Sequence, residues 1–300
     1  MDSVSTIEKK ITLKGFISDF KQLTKVGLSL SVVFSAVAGY LLATQSVNII
    51  TVIQLSIGGY LMVGASNAFN QVIEKDTDAL MKRTKNRPLP TGRMKVSTAL
   101  IIAFSFTFFG IAILYNINAK SALFGAISIF LYTCAYTPLK SVTPLAVFVG
   151  AFPGAIPFML GWVAATNQFG IEAGFLFLIQ FFWQFPHFWA IGWFLYEDYK
   201  RGGFFMLPTG KQDKGTAVQT IMYTIWTVLV SIVPVFGFTG KLQLSVVAAV
   251  VVFALGLGML HYAIQLFKKM TEKAARTLML ASVSYITLVQ IVYVIDKFLR

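Results

Sequence analysis

Nine charge-poor apolar runs divide the chain, near residues 26–45, 49–70, 97–116, 121–138, 143–165, 172–195, 217–238, 242–266 and 276–295. An α-helix needs about 20 apolar residues to cross a hydrocarbon core about 30 Å thick, and these runs have that length. They are continuous, whereas the strands of a membrane barrel alternate apolar and polar positions over about ten residues. The pattern therefore predicts an all-α polytopic membrane protein, a bundle of nine transmembrane helices. The chain shows no sequence-level repeat and no soluble domain boundary, so residues 1–300 are expected to form a single membrane domain. Residues 1–25 precede the first run and have the composition of a short amphipathic surface helix.

Composition agrees and narrows the field. The chain is 56% hydrophobic and 12% charged with a mean hydropathy of +0.73, which excludes a water-soluble globule. Its 28 Phe, 11 Tyr and 5 Trp exclude disordered and collagen-like chains. A net charge of +13 would suit a nucleic-acid partner, but the positions of the charges say otherwise. Of 25 basic residues, 21 fall in the N-terminal segment and the even loops; Lys120, Lys241, Lys297 and Arg300 fall on the other side. By the positive-inside rule the N-terminus is cytoplasmic and the C-terminus outside, so the charge reports topology and the partner is the lipid bilayer. No cleavable signal precedes the first run, and the Arg-free, acid-bearing N-terminal segment is not a transit peptide, which fits a bacterial inner membrane. The lone Cys134 forms neither an internal disulfide nor a cysteine metal cluster.

Polar residues at membrane depth carry the chemistry. Asn70, Glu74 and Asp78 recur every four residues where the second run ends, which on a helix makes one stripe with about 6 Å between levels; Asn67 adds a polar group one turn earlier. The stripe is either a helix becoming hydrated as it leaves the bilayer or a ligand site. Lys82, Arg83, Lys85 and Arg87 follow at once. Carboxylates suit Mg²⁺ and guanidinium forks suit phosphate, so together they describe a site for a metal-bound diphosphate, with Lys82 and Lys85 read as orientation anchors. Glu197 and Asp198 end the sixth run on the same side, either as interfacial charge or as a second carboxylate group on that diphosphate. Tyr136 and Lys140, four apart at the end of the fourth run, read as a belt tyrosine beside a snorkelling lysine or as groups for a cation and a departing phosphate. His187, inside the sixth run, either bonds a neighbouring helix, ligates iron or carries a proton; His261 has no polar company and reads as structural.

NQVIEKDTD and YTPLK resemble the NxxxExxxD and YxxxK elements of the UbiA-type intramembrane prenyltransferase superfamily. Within it, SNAFNQVIEKDTDALMKRTKNRPLPTG, PHFWA and EDYKRGGFFMLP are similar to the haem-farnesylating branch, the protohaem IX farnesyltransferases or haem O synthases, and the resemblance runs from the first helix to the ninth. It implies transfer of a farnesyl group from farnesyl diphosphate to a vinyl group of haem B, in a cytoplasm-facing site, with a haem A synthase downstream. It places Mg²⁺ on Asn70, Glu74, Asp78 and Asp198, diphosphate on Asn67, Arg83, Arg87 and Lys140, catalysis on Asn70, Glu74, Asp78, Tyr136 and Lys140, and haem on His187. The first motif has Glu74 where many superfamily members have Asp, and the second motif runs from Asp198 to Gly202 in place of a second carboxylate. Two other classes fit the pattern less well: a prenyltransferase acting on a quinone precursor, and a transporter, whose acids would line a route to both sides. Here ten of twelve acids lie on the cytoplasmic side by this topology, all but Glu172 and Asp296.

Overall fold

The computed structural model describes residues 13–300, so Lys9, Lys10 and the rest of the first twelve residues lie outside the described residues. The described residues are helical, with no strand among them. In chain order the helices are α1 (Leu13–Thr24), α2 (Val26–Ala43), α3 (Ile49–Ile73), α4 (Lys75–Leu80), α5 (Val96–Ile117), α6 (Ala119–Phe130) and α7 (Thr137–Leu139). They continue as α8 (Ala146–Thr166), α9 (Ile171–Phe194), α10 (Tyr196–Arg201), α11 (Lys214–Ile232), α12 (Val246–Lys269) and α13 (Glu272–Leu299). A π-helical turn, Leu131–Tyr136, joins α6 to α7 so that Ala119–Leu139 is one span, and a 3-10 turn, Val233–Phe236, extends α11. Of the N-terminal segment, the described part forms α1, a separate short helix.

Among the described residues, eight helices are long and apolar enough to cross a membrane. The sixth predicted run forms α9, 24 residues long, but it is not among the eight. Glu172, Gln180, Gln184 and His187 dilute its hydropathy, and those interruptions matter below.

At the centre lies α8, whose apolar window is 72% buried. A helix hydrophobic on all sides belongs inside a bundle, and α8 touches α2, α3, α6 and α9. Lipid tails are as apolar as leucine, so close packing rather than hydrophobicity drives helices together in a bilayer. Gly39 of α2 and Gly161 of α8 allow that approach: a Cβ on Gly39 would collide with the Phe158 carbonyl, and one on Gly161 with the Ala36 carbonyl. Proline inside α8 has its own remedy. Pro157 cannot donate to the Pro153 carbonyl, and Ser128 Oγ of α6 donates to that oxygen instead, at 3.3 Å.

Two long helices break one turn before they end. The α3 helix stops at Ile73, Glu74 takes φ −93°, ψ 11°, and α4 resumes; likewise α9 stops at Phe194, Leu195 takes φ −106°, ψ 16°, and α10 resumes. Both breaks lie at the same end of the bundle, and the candidate site sits between them.

Candidate active site

The site begins with the stripe read from the sequence. The break at Glu74 interrupts the predicted continuous helix but keeps its spacing, since Glu74 N donates to Asn70 O at 2.9 Å and Asp78 N to Glu74 O at 2.7 Å. Glu74 is 6% exposed and Asp78 is fully buried. Charges so deep need partners. Lys140, itself 6% exposed, forms an ion pair with Glu74, and Arg87 Nη1 donates to Asp78 Oδ2 at 2.6 Å. The Asp78 main-chain carbonyl accepts from Thr84 Oγ1 at 2.9 Å, which folds the basic loop back over α4.

Lys140 arrives by a different route. The π-helical turn re-phases the end of the fourth span ahead of Tyr136 and Lys140, and Thr137 Oγ1 donates to the Tyr132 carbonyl five residues back at 2.8 Å. The Lys140 ammonium lies 4.8 Å from the Tyr136 ring centre and 5.3 Å from that of Phe204. Phe205 N donates to the Lys140 carbonyl at 2.7 Å, and Gly203, at φ +69°, makes the turn that brings this segment back. Burial pulls Lys140 below the usual lysine range, against the opposing pull of Glu74. Asn70 Nδ2 donates to Thr137 Oγ1 at 3.3 Å, tying the stripe to the YxxxK segment.

The other expected residues divide. Arg83 stands 6.0 Å from the Tyr199 ring centre at the same mouth. Asn67 is 2% exposed and donates to Val63 O at 3.0 Å, within its own helix. Asp198 serves the loop. Its Oδ1 accepts from Lys82 N at 2.8 Å and Arg201 Nη1 at 2.9 Å, and its Oδ2 from Arg83 N at 2.9 Å. His187 lies deeper, with Nδ1 2.8 Å from Ser282 Oγ of α13 and its ring stacked on Trp183 at 4.7 Å; no contact joins it to the carboxylates.

Lys25, the last of the basic residues in the N-terminal segment, also belongs here. It separates α1 from α2 at φ 46°, ψ 58°, a left-handed conformation that a residue with a side chain adopts only under constraint. The constraint is visible: Gln71 Nε2 of α3 donates to Gln22 O at 3.0 Å and Leu23 O at 2.9 Å, and Ser29 Oγ donates to Thr24 O at 2.8 Å. Burial, reinforced by Arg87 and Lys140, pushes Lys25 down to about 7. The signal in the sequence was a lone cation at the start of a membrane run, which topology had already explained.

The donor set suits a hard cation. Asp78 Oδ1 is buried without a hydrogen-bond partner, and carboxylate and carboxamide oxygens from Glu74, Asp78 and Asn70 are the ligand type Mg²⁺ takes. No three His, Cys, Asp or Glu side chains converge as a ready-made cluster among the described residues. Mg²⁺ characteristically uses one or two carboxylates and completes its shell from water and substrate phosphate, so two carboxylates and an amide fit.

A family model for the UbiA prenyltransferase family matches residues 32–286. The chain belongs to the UbiA prenyltransferase family. It is 66% identical over 300 residues to a protein of Flavobacterium psychrophilum named Protoheme IX farnesyltransferase, covering 99% of this chain and all of that one. A protein of Christiangramia forsetii with the same name is 68% identical over 284 residues, 95% of each chain. The fold matches that of a UbiA homologue from Archaeoglobus fulgidus bound to DMAPP and Mg²⁺, with a TM-score of 0.70 at 14% identity, over 94% of this chain and 98% of that one. The chain is thus a multi-pass membrane prenyltransferase by family and by its apolar helices.

Proposed function

We propose that this prenyltransferase moves the farnesyl group of farnesyl diphosphate to a vinyl group of haem B, yielding haem O for a downstream haem A synthase. It works as a single domain of the bacterial inner membrane. On this reading α9 also crosses, which makes nine spans, the N-terminus is cytoplasmic, the C-terminus is outside, and the mouth between the two broken helices opens to the cytoplasm. One observation carries the chemistry: two buried carboxylates at a helix break, Glu74 and Asp78, each held by a cation from elsewhere in the chain. The choice of haem and farnesyl is supported by the names of relatives 66% and 68% identical over nearly the whole chain.

Breaking the allylic C–O bond leaves a diphosphate anion and a delocalised cation, and the site must stabilise both. Asn70, Glu74 and Asp78 would hold Mg²⁺, which would supply positive charge against the leaving diphosphate. Lys140 and Arg87, released from Glu74 and Asp78, turn to the phosphate oxygens with Lys25 and Arg83. Ion pairs are thereby exchanged and not lost, which keeps the cost of binding low. Asp198 is a positioning residue, holding the Lys82 and Arg83 amides so that the Arg83 side chain faces the mouth; its committed oxygens argue for this in place of the metal role suggested by the sequence. Tyr136 presents a ring face to the allylic cation, with Asn67 supporting the stripe from one turn deeper. Helix walls exclude bulk water from the farnesyl cation. His187, its Nδ1 occupied by Ser282, offers Nε2 to haem iron.

The test is incubation of the purified protein with haem B, farnesyl diphosphate and Mg²⁺, followed by mass spectrometry of the haem. Farnesylated, hydroxylated haem is expected; unaltered haem B overturns the reading. For His187→Ala the measurement is haem B affinity, which is expected to fall.

A further inference from the structure

We propose that Gln184 is a positioning residue that holds the water molecule required to finish the reaction, an inference that rests on the haem-farnesylating reading above.

Gln184 lies in the middle of α9, 2% exposed, and its carboxamide orientation is fixed. Nε2 donates to Ala151 O of α8 at 2.9 Å and to Gln180 O at 3.3 Å, so both N–H groups are spent on carbonyls. Oε1 is thereby aimed away from those carbonyls, over Gly154, where an added Cβ would strike it. No group among the described residues donates a hydrogen bond to this oxygen. One turn deeper, Gln180 is 6% exposed and its Oε1 is buried without a partner. A buried amide oxygen without a donor is costly in hydrocarbon, so Gln180 Oε1, with the unpaired Gln184 Oε1 one turn away, implies a donor other than the chain itself.

Its depth fits the chemistry. The Tyr136 ring packs on Gly150 of α8, and the Gln184 amide packs on Gly154 of the same helix. Four residues along a helix are about 6 Å, so Gln184 lies one turn below the ring assigned to the allylic cation. His187 is three residues further along α9, so an acceptor molecule lying along this helix passes both residues.

The balanced step is as follows. The C1–O bond of farnesyl diphosphate breaks and its electron pair leaves with diphosphate. The π pair of the haem vinyl forms the new bond from the terminal vinyl carbon to C1, leaving positive charge on the vinyl carbon attached to the porphyrin. A lone pair of water bonds to that carbon and a proton passes to a diphosphate oxygen, so haem B, farnesyl diphosphate and water give haem O, diphosphate and a proton. Gln184 Oε1 accepts a hydrogen bond from that water, leaving the lone pair free. Without this acceptor, the same cation loses a proton from the neighbouring carbon and gives an alkene lighter by one water.

The experiment uses purified full-length wild type, Gln184→Leu and Gln184→Glu with haem B, farnesyl diphosphate and Mg²⁺, measuring diphosphate release and haem mass separately. In Gln184→Leu the ratio of hydroxylated to dehydrated farnesyl haem is expected to fall by about tenfold or more, equivalent to about 1.4 kcal/mol between the two exits. Gln184→Glu, which keeps an acceptor oxygen, is expected to restore it. If Gln184 were only a tie between α8 and α9, turnover would fall with the ratio unchanged, and that result overturns the proposal. Should Gln184→Leu yield no product, Gly154→Ala decides: it leaves Gln184 in place but displaces its oxygen, and an unchanged ratio there also overturns the proposal. Failure of the wild type to farnesylate haem would instead remove the reading on which this rests.

Discussion

The breaks at Glu74 and Leu195 have nearly the same backbone: 25 helical residues then six in one case, 24 then six in the other, with closely matching dihedrals between. Their side chains do opposite things. At the first, the breaking residue is itself a carboxylate, and both acids are held by mobile side chains, Lys140 and Arg87. At the second, the breaking residue is apolar, and Asp198 holds two main-chain amides that cannot be traded for a ligand. On the proposed mechanism, one backbone device thus serves two purposes, an exchangeable charge site on one side and a rigid anchor for the basic loop on the other.

Breaking the first site has the largest expected effect. Glu74→Gln or Asp78→Asn, each keeping side-chain volume, is expected to lower haem O formation by at least about 100-fold, the scale of losing a group that stabilises transition-state charge. Membrane insertion, followed by yield in detergent, is expected to persist. Next comes Asp198→Asn, which keeps one acceptor oxygen but loses the charge; about tenfold lower kcat/KM is expected, chiefly as a higher KM for farnesyl diphosphate, read from steady-state kinetics. Comparable losses of kcat at Asp198 and at Asp78 would erase the distinction between the two breaks.

A pH series sharpens it further. Lys25, held at about 7 in the fold against an ordinary 10.5, is a full cation only below about 7. Between those values the folded protein binds fewer protons than the unfolded chain, so the penalty of burying Lys25 fades as pH rises through that window. Diphosphate binding runs the other way: its affinity, measured calorimetrically with inorganic diphosphate and Mg²⁺, is expected to weaken severalfold as pH rises above about 7, and Lys25→Met to flatten that slope. The smallest effect belongs to Arg201→Ala. Its guanidinium is 40% exposed and only supplements two amide donors to Asp198, so turnover is expected to stay within about twofold.

Most of this arrangement was legible because a bilayer makes polarity expensive. The apolar runs located the helices, and Asn70, Glu74 and Asp78 stood out as the polar residues lipid would not tolerate unpaired, whereas Lys140 read equally as a snorkelling lysine until the YxxxK resemblance singled it out. What the sequence concealed was pairing across distance. Nothing near residue 198 says that its carboxylate caps amides at 82 and 83, and nothing near residue 25 says that α3 clamps the preceding turn through Gln71. Hydropathy also understated α9, because the polar residues that lower its score face other helices and not lipid: Gln184 reaches Ala151 and His187 reaches Ser282. The break at Glu74 was hidden for a related reason, since the four-residue spacing survives it.

The contact of Gly39 with Gly161 has a mechanical consequence. With backbone against backbone and no side chain between them, the seam joining α2 to α8 has no rotamer to turn and no gap to widen, so it behaves as a fixed axle. On the far flank, α2 meets α13 through side chains, the Ser35–Gln290 hydrogen bond and Lys297 Nζ donating to the Leu41 carbonyl at 2.6 Å. That flank has rotamers to turn where the axle has none.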